Sequence, residues 1–302
     1  SAVIVFILVS PAPYLLMIAN LLSLVFELDI IISLIIGIIL SASYLIKGGF
    51  KSNIYTDAFQ FFIMFAGFIF ILFVSISSYG GADFLTEKLP QSHLSFTGNS
   101  SIIFLIVWFL IALWTFADPG FHQRSYSAKN GNVAKYGILI SIVFWALFDF
   151  LTTSTGLYAK AIIPDLDNPI MAYPLLAEKV LAPGLKGIFY AAMFATIIST
   201  LNSFMFLSAT TIGRDLIYRM NQKGSEDKIK LYTVIGIIIT SLLSVLIAYS
   251  IPSVVEIWYT IGSLFIPGII LPVISSYYSK IMVSSKIVLY EIILSVLTGT
   301  IW

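Results

Sequence analysis

Nine stretches of this 302-residue chain read as almost unbroken apolar runs: roughly 1–26, 30–46, 54–79, 101–118, 136–163, 185–211, 231–250, 254–279 and 285–302. A helix needs about 20 mostly apolar residues to cross the ~30 Å hydrocarbon core of a bilayer. Each run is therefore a predicted membrane span, the shortest ones only just so. The runs are continuous rather than alternating, which excludes a β-barrel. The run at 191–211 has an unusual pattern. Thr196, Ser199, Thr200 and Ser203 recur there at i, i+3, i+4 and i+7, with Asn202 beside them. That spacing puts several side-chain oxygens on one helical face. In a bilayer such a stripe either joins helices through hydrogen bonds or lines a site for something polar. The spacing alone leaves both readings open.

The polar residues between the runs give the orientation. Twelve of the 16 Lys and Arg fall in alternate loops, those carrying Lys47 and Lys51, Arg124 to Lys135, Arg214 to Lys230, and Lys280 to Lys286. The other set holds only Lys88, Lys160, Lys179 and Lys186. Positively charged loops stay in the cytoplasm, so this alternation supports nine spans and puts the first set inside. The outer loops at 80–100 and 164–184 are longer. Pro164, Pro169, Pro174 and Pro183 predict an ordered or re-entrant excursion there rather than a plain link. Two spans are interrupted. Asp118-Pro119-Gly120 ends the fourth abruptly, because proline lacks an amide donor and disfavours helix just before it. Pro267 and Pro272 interrupt the eighth, with Gly262 and Gly268 beside them. Broken helices at membrane depth either mark a transporter binding site or are simple kinks held by their neighbours.

Composition agrees with a polytopic membrane protein located in the cell membrane. Hydrophobic residues make up 59% and charged residues 10%, against about 45–50% and about 25% in soluble domains. The net charge of +1 gives no sign of nucleic-acid binding. With no cysteine, disulfides, thiolate metal sites and a cysteine nucleophile are excluded. His93 and His122 are the only histidines, too few for most histidine metal sites. No phosphate loop, metalloprotease helix or nucleophile elbow occurs, and no catalytic constellation marks an enzyme. The sequence begins and ends within apolar runs and reads as an internal stretch of a longer protein.

Five carboxylates lie at or within the spans, of which Glu256 and Glu291 stand near span ends and read as interfacial. Burying one costs about 2.5–3.5 kcal/mol on insertion scales. Asp57 sits a few residues inside the third run, either as a functional charge or as an interfacial acid at a helix N-terminus. Asp118 stands at the break of the fourth run, and Asp149 lies in the middle of the fifth. Each is either a structural hydrogen-bonding group or a partner for a cation, a solute or a proton.

Four motifs carry a resemblance. They are Gly48-Gly49-Phe50-Lys51 with Tyr55-Thr56-Asp57 and Gln60; Asp118-Pro119-Gly120-Phe121-His122-Gln123-Arg124 with Ala128-Lys129; Gly156-Leu157-Tyr158-Ala159; and Gly187 with Ala191-Ala192 and Ser199-Thr200-Leu201-Asn202-Ser203. In this order and at these intervals the chain resembles the sodium:solute symporter family over nearly its whole length. The resemblance implies an all-α bundle of the leucine-transporter type, built from inverted repeats. It implies a single transmembrane symporter domain over 1–302, truncated at both ends and covering roughly core helices three to eleven.

The resemblance also implies roles. Ser199 and Thr200 would offer hydroxyls, and Thr196 its backbone carbonyl, to Na⁺, a hard cation that prefers oxygen. Asp57, Asn202 and Ser203 match positions that in some members hold a second sodium. The family usually has Asp where this chain has Asn202, and that departure removes a negative charge. Trp114, Phe116, Asp118, Asp149 and Tyr259 are the candidates for solute contact or gating. The implied function is sodium-coupled symport of a small organic solute (sugar, amino acid, vitamin or carboxylate) across the lipid bilayer. Two alternatives stay open: a proton-coupled transporter of the same fold, and a symporter-like sensor domain of a larger signalling protein.

Overall fold

The computed structural model describes residues 10–166, 168–220, 228–278 and 280–301, and among them there is no strand. Helix is what apolar chain in a bilayer must form, since every backbone N–H and C=O has to find its partner internally. Each of the nine apolar runs contains helix. The helices are α1 (Ala12–Phe26), α2 (Ile30–Tyr79), α3 (Ala82–Lys88), α4 (Gln91–Leu94), α5 (Ile102–Ile111), α6 (Trp114–Ala117) and α7 (Pro119–Tyr126). They continue with α8 (Gly131–Ile162), α9 (Ala172–Val180), α10 (Pro183–Thr210), α11 (Ile229–Ser250), α12 (Val254–Ser276) and α13 (Ser285–Ile301). A π-helix, Thr211–Tyr218, extends α10.

Among the described residues four helical stretches are long and apolar enough to cross a membrane: Gly49–Tyr79, Gly131–Ile162, Pro183–Tyr218 and Ile229–Ser250. Two bent pairs raise the number to six. One is Ala12–Phe26 with Ile30–Ser43, bent by 116°, and the other is the two halves of α12, bent by 50°. The second bend falls between Leu264 and Ile266, beside the predicted interruption at Pro267.

The sequence pattern predicts a loop between 46 and 54, whereas the structure has none. α2 is two helices that meet directly at a kink at Gly49, where φ is +57° and ψ is −154°. Glycine reaches this region without the clash a Cβ would make. The break at Asp118 is as predicted: α6 stops at Ala117 and α7 restarts at Pro119. The excursion predicted at 164–184 contains an ordered helix, since α9 buries Pro174, Leu176 and Ala177.

The described chain divides into two compact units. One takes residues from 1–55, 108–123 and 197–302, and the other from 56–107 and 124–196. The second is built on rings. Phe61, Phe65, Phe68, Phe144, Phe148, Tyr173 and Phe189 form a chain of pairs with centroids 4.8–5.8 Å apart, mostly edge to face. That is the spacing at which aromatic quadrupoles attract. The first unit packs backbone closely. α11 lies against the π-helix and α1, and α12 against α13. A methyl on Gly236 would collide with the backbone of Ala209, so only glycine permits this approach.

Candidate functional site

α10 carries the polar stripe. Its surroundings on the helix are apolar and closed: Ala192, Leu201 and Met205 are fully buried. Thr196, Ser199, Thr200 and Ser203 are half-buried. The Thr196 hydroxyl donates to the Ala192 carbonyl at 2.8 Å, the usual way a threonine satisfies itself within a helix.

Asn202 and Ser203 have different neighbours. Asn202 is fully buried, and its Oδ1 accepts a short hydrogen bond from the Ser41 hydroxyl of α2. Ser41 Oγ also lies 3.0 Å from Met205 Sδ. One residue on, Ser203 Oγ accepts from Asn53 Nδ2 at 3.1 Å. Ser41 and Asn53 lie on opposite sides of Gly49, and both are buried. Asn202 Nδ2 has no hydrogen-bond partner among the described residues.

Asp57 stands in the other unit and is half-buried. Its carboxylate pairs with Arg124 at 3.4 Å. The sequence marked both residues in separate motifs, but nothing in the spacing joined them. Asp118 is buried, and its Oδ1 accepts from the Gly120 amide at 2.7 Å. It thereby caps the restart of the helix, as an Asx turn does. Beyond it His122 Nε2 lies 2.8 Å from the Phe116 carbonyl, and Nδ1 lies 3.3 Å from the Tyr277 hydroxyl. These contacts tie α7 to the end of α12.

The remaining candidates are dispersed. Asp149 is exposed on α8, and its carboxylate makes no hydrogen bond or ion pair among the described residues. Phe116 and Tyr259 are exposed. The side chain of Trp114 lies outside the described residues. Sequence reasoning missed Tyr14, which stacks on Phe204 at 5.4 Å and meets Trp258 edge-on at 5.6 Å. An aromatic in an apolar run carries no signal of its own, so only the contacts reveal this cluster. The same holds for Ser41 and Asn53.

These features are a hydroxyl stripe on a long apolar helix, helices broken at Gly49 and Asp118, and an acid–guanidinium pair between two motifs. The sequence profile of the sodium:solute symporter family matches residues 1–285. The chain belongs to the sodium:solute symporter family. It is 29% identical over 235 residues to the sodium/pantothenate symporter of Escherichia coli (strain K12), a match covering 74% of this chain and 48% of that protein. It is 26% identical over 261 residues to sodium/myo-inositol cotransporter 2 of Oryctolagus cuniculus, covering 73% and 39%. The figures for sodium/glucose cotransporter 4 of Danio rerio are 25% over 258 residues, 72% and 39%. This symporter-family chain therefore spans less than half the length of each of these relatives. Like the family, it is a multi-pass membrane protein, and the relatives are named as transporters rather than enzymes.

Proposed function

We propose that the protein is a sodium-coupled symporter of a small polar organic solute, working by alternating access in a leucine-transporter-type bundle to which this chain contributes nine spans. One observation carries the reading: Thr196, Ser199 and Thr200 hold half-buried oxygens on one face of an otherwise apolar membrane helix. Neutral oxygens suit a monovalent hard cation that must bind and leave within each cycle. Na⁺ enters here as cargo. The Ser199 and Thr200 hydroxyls and the Thr196 carbonyl would take over part of its hydration shell.

Sodium bound on α10 stabilises the state that accepts solute, and by linkage the solute tightens sodium binding by the same factor. The breaks at Gly49, Asp118 and within α12 supply places where helices can re-aim. The solute falls within polyols, sugars and vitamin-like acids, the chemistry named for the relatives. The test is uptake into proteoliposomes holding the full-length protein, at fixed pH, with sodium replaced by choline. Sodium-stimulated uptake is expected in the parent and is expected to disappear in the double variant Ser199→Ala with Thr200→Ala. Uptake driven equally well by a proton gradient without sodium would overturn the assignment in favour of proton coupling.

A further inference from the structure

We infer that Asn202 and Ser203 are positioning residues rather than sodium ligands. They latch α10 to both arms of the helix broken at Gly49, and a single sodium drives each cycle. The inference rests on the proposed sodium site at Thr196, Ser199 and Thr200, and extends it.

The geometry is specific. Gly49 is the only residue of α2 with non-helical φ/ψ, and a Cβ built there meets nothing within 4 Å. A hinge with free space around it needs something to hold its two arms. The arm before it is held at Ser41, whose hydroxyl donates to Asn202 Oδ1. The arm after it is held at Asn53, whose amide donates to Ser203 Oγ. Two adjacent residues of one helix thus grip residues on either side of one break. Ser41 and Asn202 are fully buried, and Asn53 nearly so, so water does not compete for these bonds.

The same bonds argue against a second ion here. A cation needs lone pairs. The Asn202 oxygen already accepts from Ser41, and the Ser203 oxygen already accepts from Asn53. Each oxygen has a second lone pair, but a cation there would have to share it with a bonded donor and face the unpartnered Asn202 amide N–H, the positive end of that side chain's dipole. Asp57, the remaining charge considered for a second sodium, is paired with Arg124 within its own unit. Ser199 and Thr200 precede Asn202 and Ser203 by three residues, which is one helical turn on the same side. A sodium ion drawing on the first pair therefore acts on the turn that holds the hinge. Binding at the ion site and the setting of the Gly49 break are joined through one short helical segment.

The test is sodium activation of solute uptake by the full-length protein in proteoliposomes, comparing Ser41→Ala, Asn202→Ala and the double variant. Losing one such hydrogen bond, at about 1 kcal/mol, is expected to raise the half-saturating sodium concentration about fivefold. The double variant is expected to be no worse than the more impaired single one, because all three remove one shared contact. The Hill coefficient for sodium is expected to be about 1 in the parent and in every variant. Two results would overturn the inference. One is a Hill coefficient of about 2 that falls in Asn202→Ala but not in Ser41→Ala. The other is full additivity of the two substitutions. If Asn202→Ala does not reach the membrane folded, Ser41→Ala and Asn53→Ala carry the test. Both should raise the half-saturating sodium concentration, and an unchanged value in both overturns the latch. If uptake proves independent of sodium, the proposed function fails, but the cycle still reads the latch through the uptake rate, where non-additivity supports it and additivity refutes it.

Discussion

The two units solve the same packing problem with different materials. In the unit drawn from 56–107 and 124–196, a run of aromatic rings links α2, α8, α9 and the start of α10. No hydrogen bond is needed to define such a core, because ring shape and edge-to-face geometry define it. In the other unit the buried face of α11 reads Tyr232, Gly236, Ile237, Thr240, Ser241, Ser244 and Ala248. Small and hydroxyl residues let membrane helices approach closely. The hydroxyls of Ser33, Thr240 and Ser244 are buried there without a hydrogen-bond partner among the described residues. A buried polar group left unsatisfied costs about 1–3 kcal/mol. Separating the rings would open cavities, and among the described residues Gln60 Oε1 is the buried oxygen left unpartnered in this unit. A body holding under-used hydroxyls has groups that a second arrangement of helices can satisfy. The breaks at Gly49, Asp118 and mid-α12 all fall in this second kind of body, as do Ser199 and Thr200.

The sharpest way to break this contrast is to remove a ring. Phe68 is almost fully buried and meets Phe148, Tyr173 and Phe189 at 5.2–5.4 Å. Phe68→Ala is expected to cost about 3–5 kcal/mol and to lower the midpoint of thermal unfolding in detergent. A loss of less than 1 kcal/mol would mean that the rings touch without bearing the fold. The matching change in the other unit adds volume. Gly236→Ala sets a methyl against the Ala209 backbone and is expected to cost about 1–3 kcal/mol, read by the same unfolding measurement. Little cost there would show that α11 and α10 can separate freely, and close packing would no longer distinguish the units.

The sequence carried much of this architecture, for definite physical reasons. Apolar runs specify helix because the bilayer leaves the backbone no other option. Proline and glycine mark breaks because their backbones differ from all others, and so Asp118-Pro119-Gly120 and the interrupted α12 were readable in advance. Gly49 was readable as a boundary but not as a break without a loop, since the sign of its φ is a tertiary outcome. The hydroxyl stripe on α10 was visible from its period. Its partners were not. Asn202 meets Ser41 across 161 positions and Ser203 meets Asn53 across 150. A serine in an apolar run looks the same whether it faces lipid or an amide. Asp57 was visible as an acid in a span, but the spacing said nothing of its pairing with Arg124, 67 residues away. Asp149, the deepest acid in the pattern, is exposed on α8, and its carboxylate is joined to nothing among the described residues. Depth in a run reports distance along the membrane normal, not which way the side chain faces.

The smallest effect expected lies at the edge of the ring-packed unit, where charge replaces packing. Glu178 on α9 accepts from Lys186 and from the Tyr190 hydroxyl, each at 2.6 Å. Lys179 donates to the Ile162 carbonyl at 3.3 Å and Tyr173 to the Thr152 carbonyl at 3.2 Å. Together these fasten α9 to α8 and α10. The bonds from Lys186, and then from Tyr190, hold the Glu178 carboxyl below its ordinary value of 4.5. A carboxylate lowered in the folded state lends its stability in full above the ordinary value, and loses it as the pH falls through the lowered one. Its side chain is 45% exposed, so solvent screens the pair and the effect is local fraying of α9 rather than unfolding. Amide-exchange protection factors across 172–182 are therefore expected to hold constant above about pH 5 and to fall below pH 4.5. The ring-packed helices should keep theirs throughout. Glu178→Gln removes the titrating group and is expected to flatten the profile. A wild-type profile already as flat as that of Glu178→Gln would mean that buried Pro174, Leu176 and Ala177 hold α9 alone, and that packing governs this unit out to its edge.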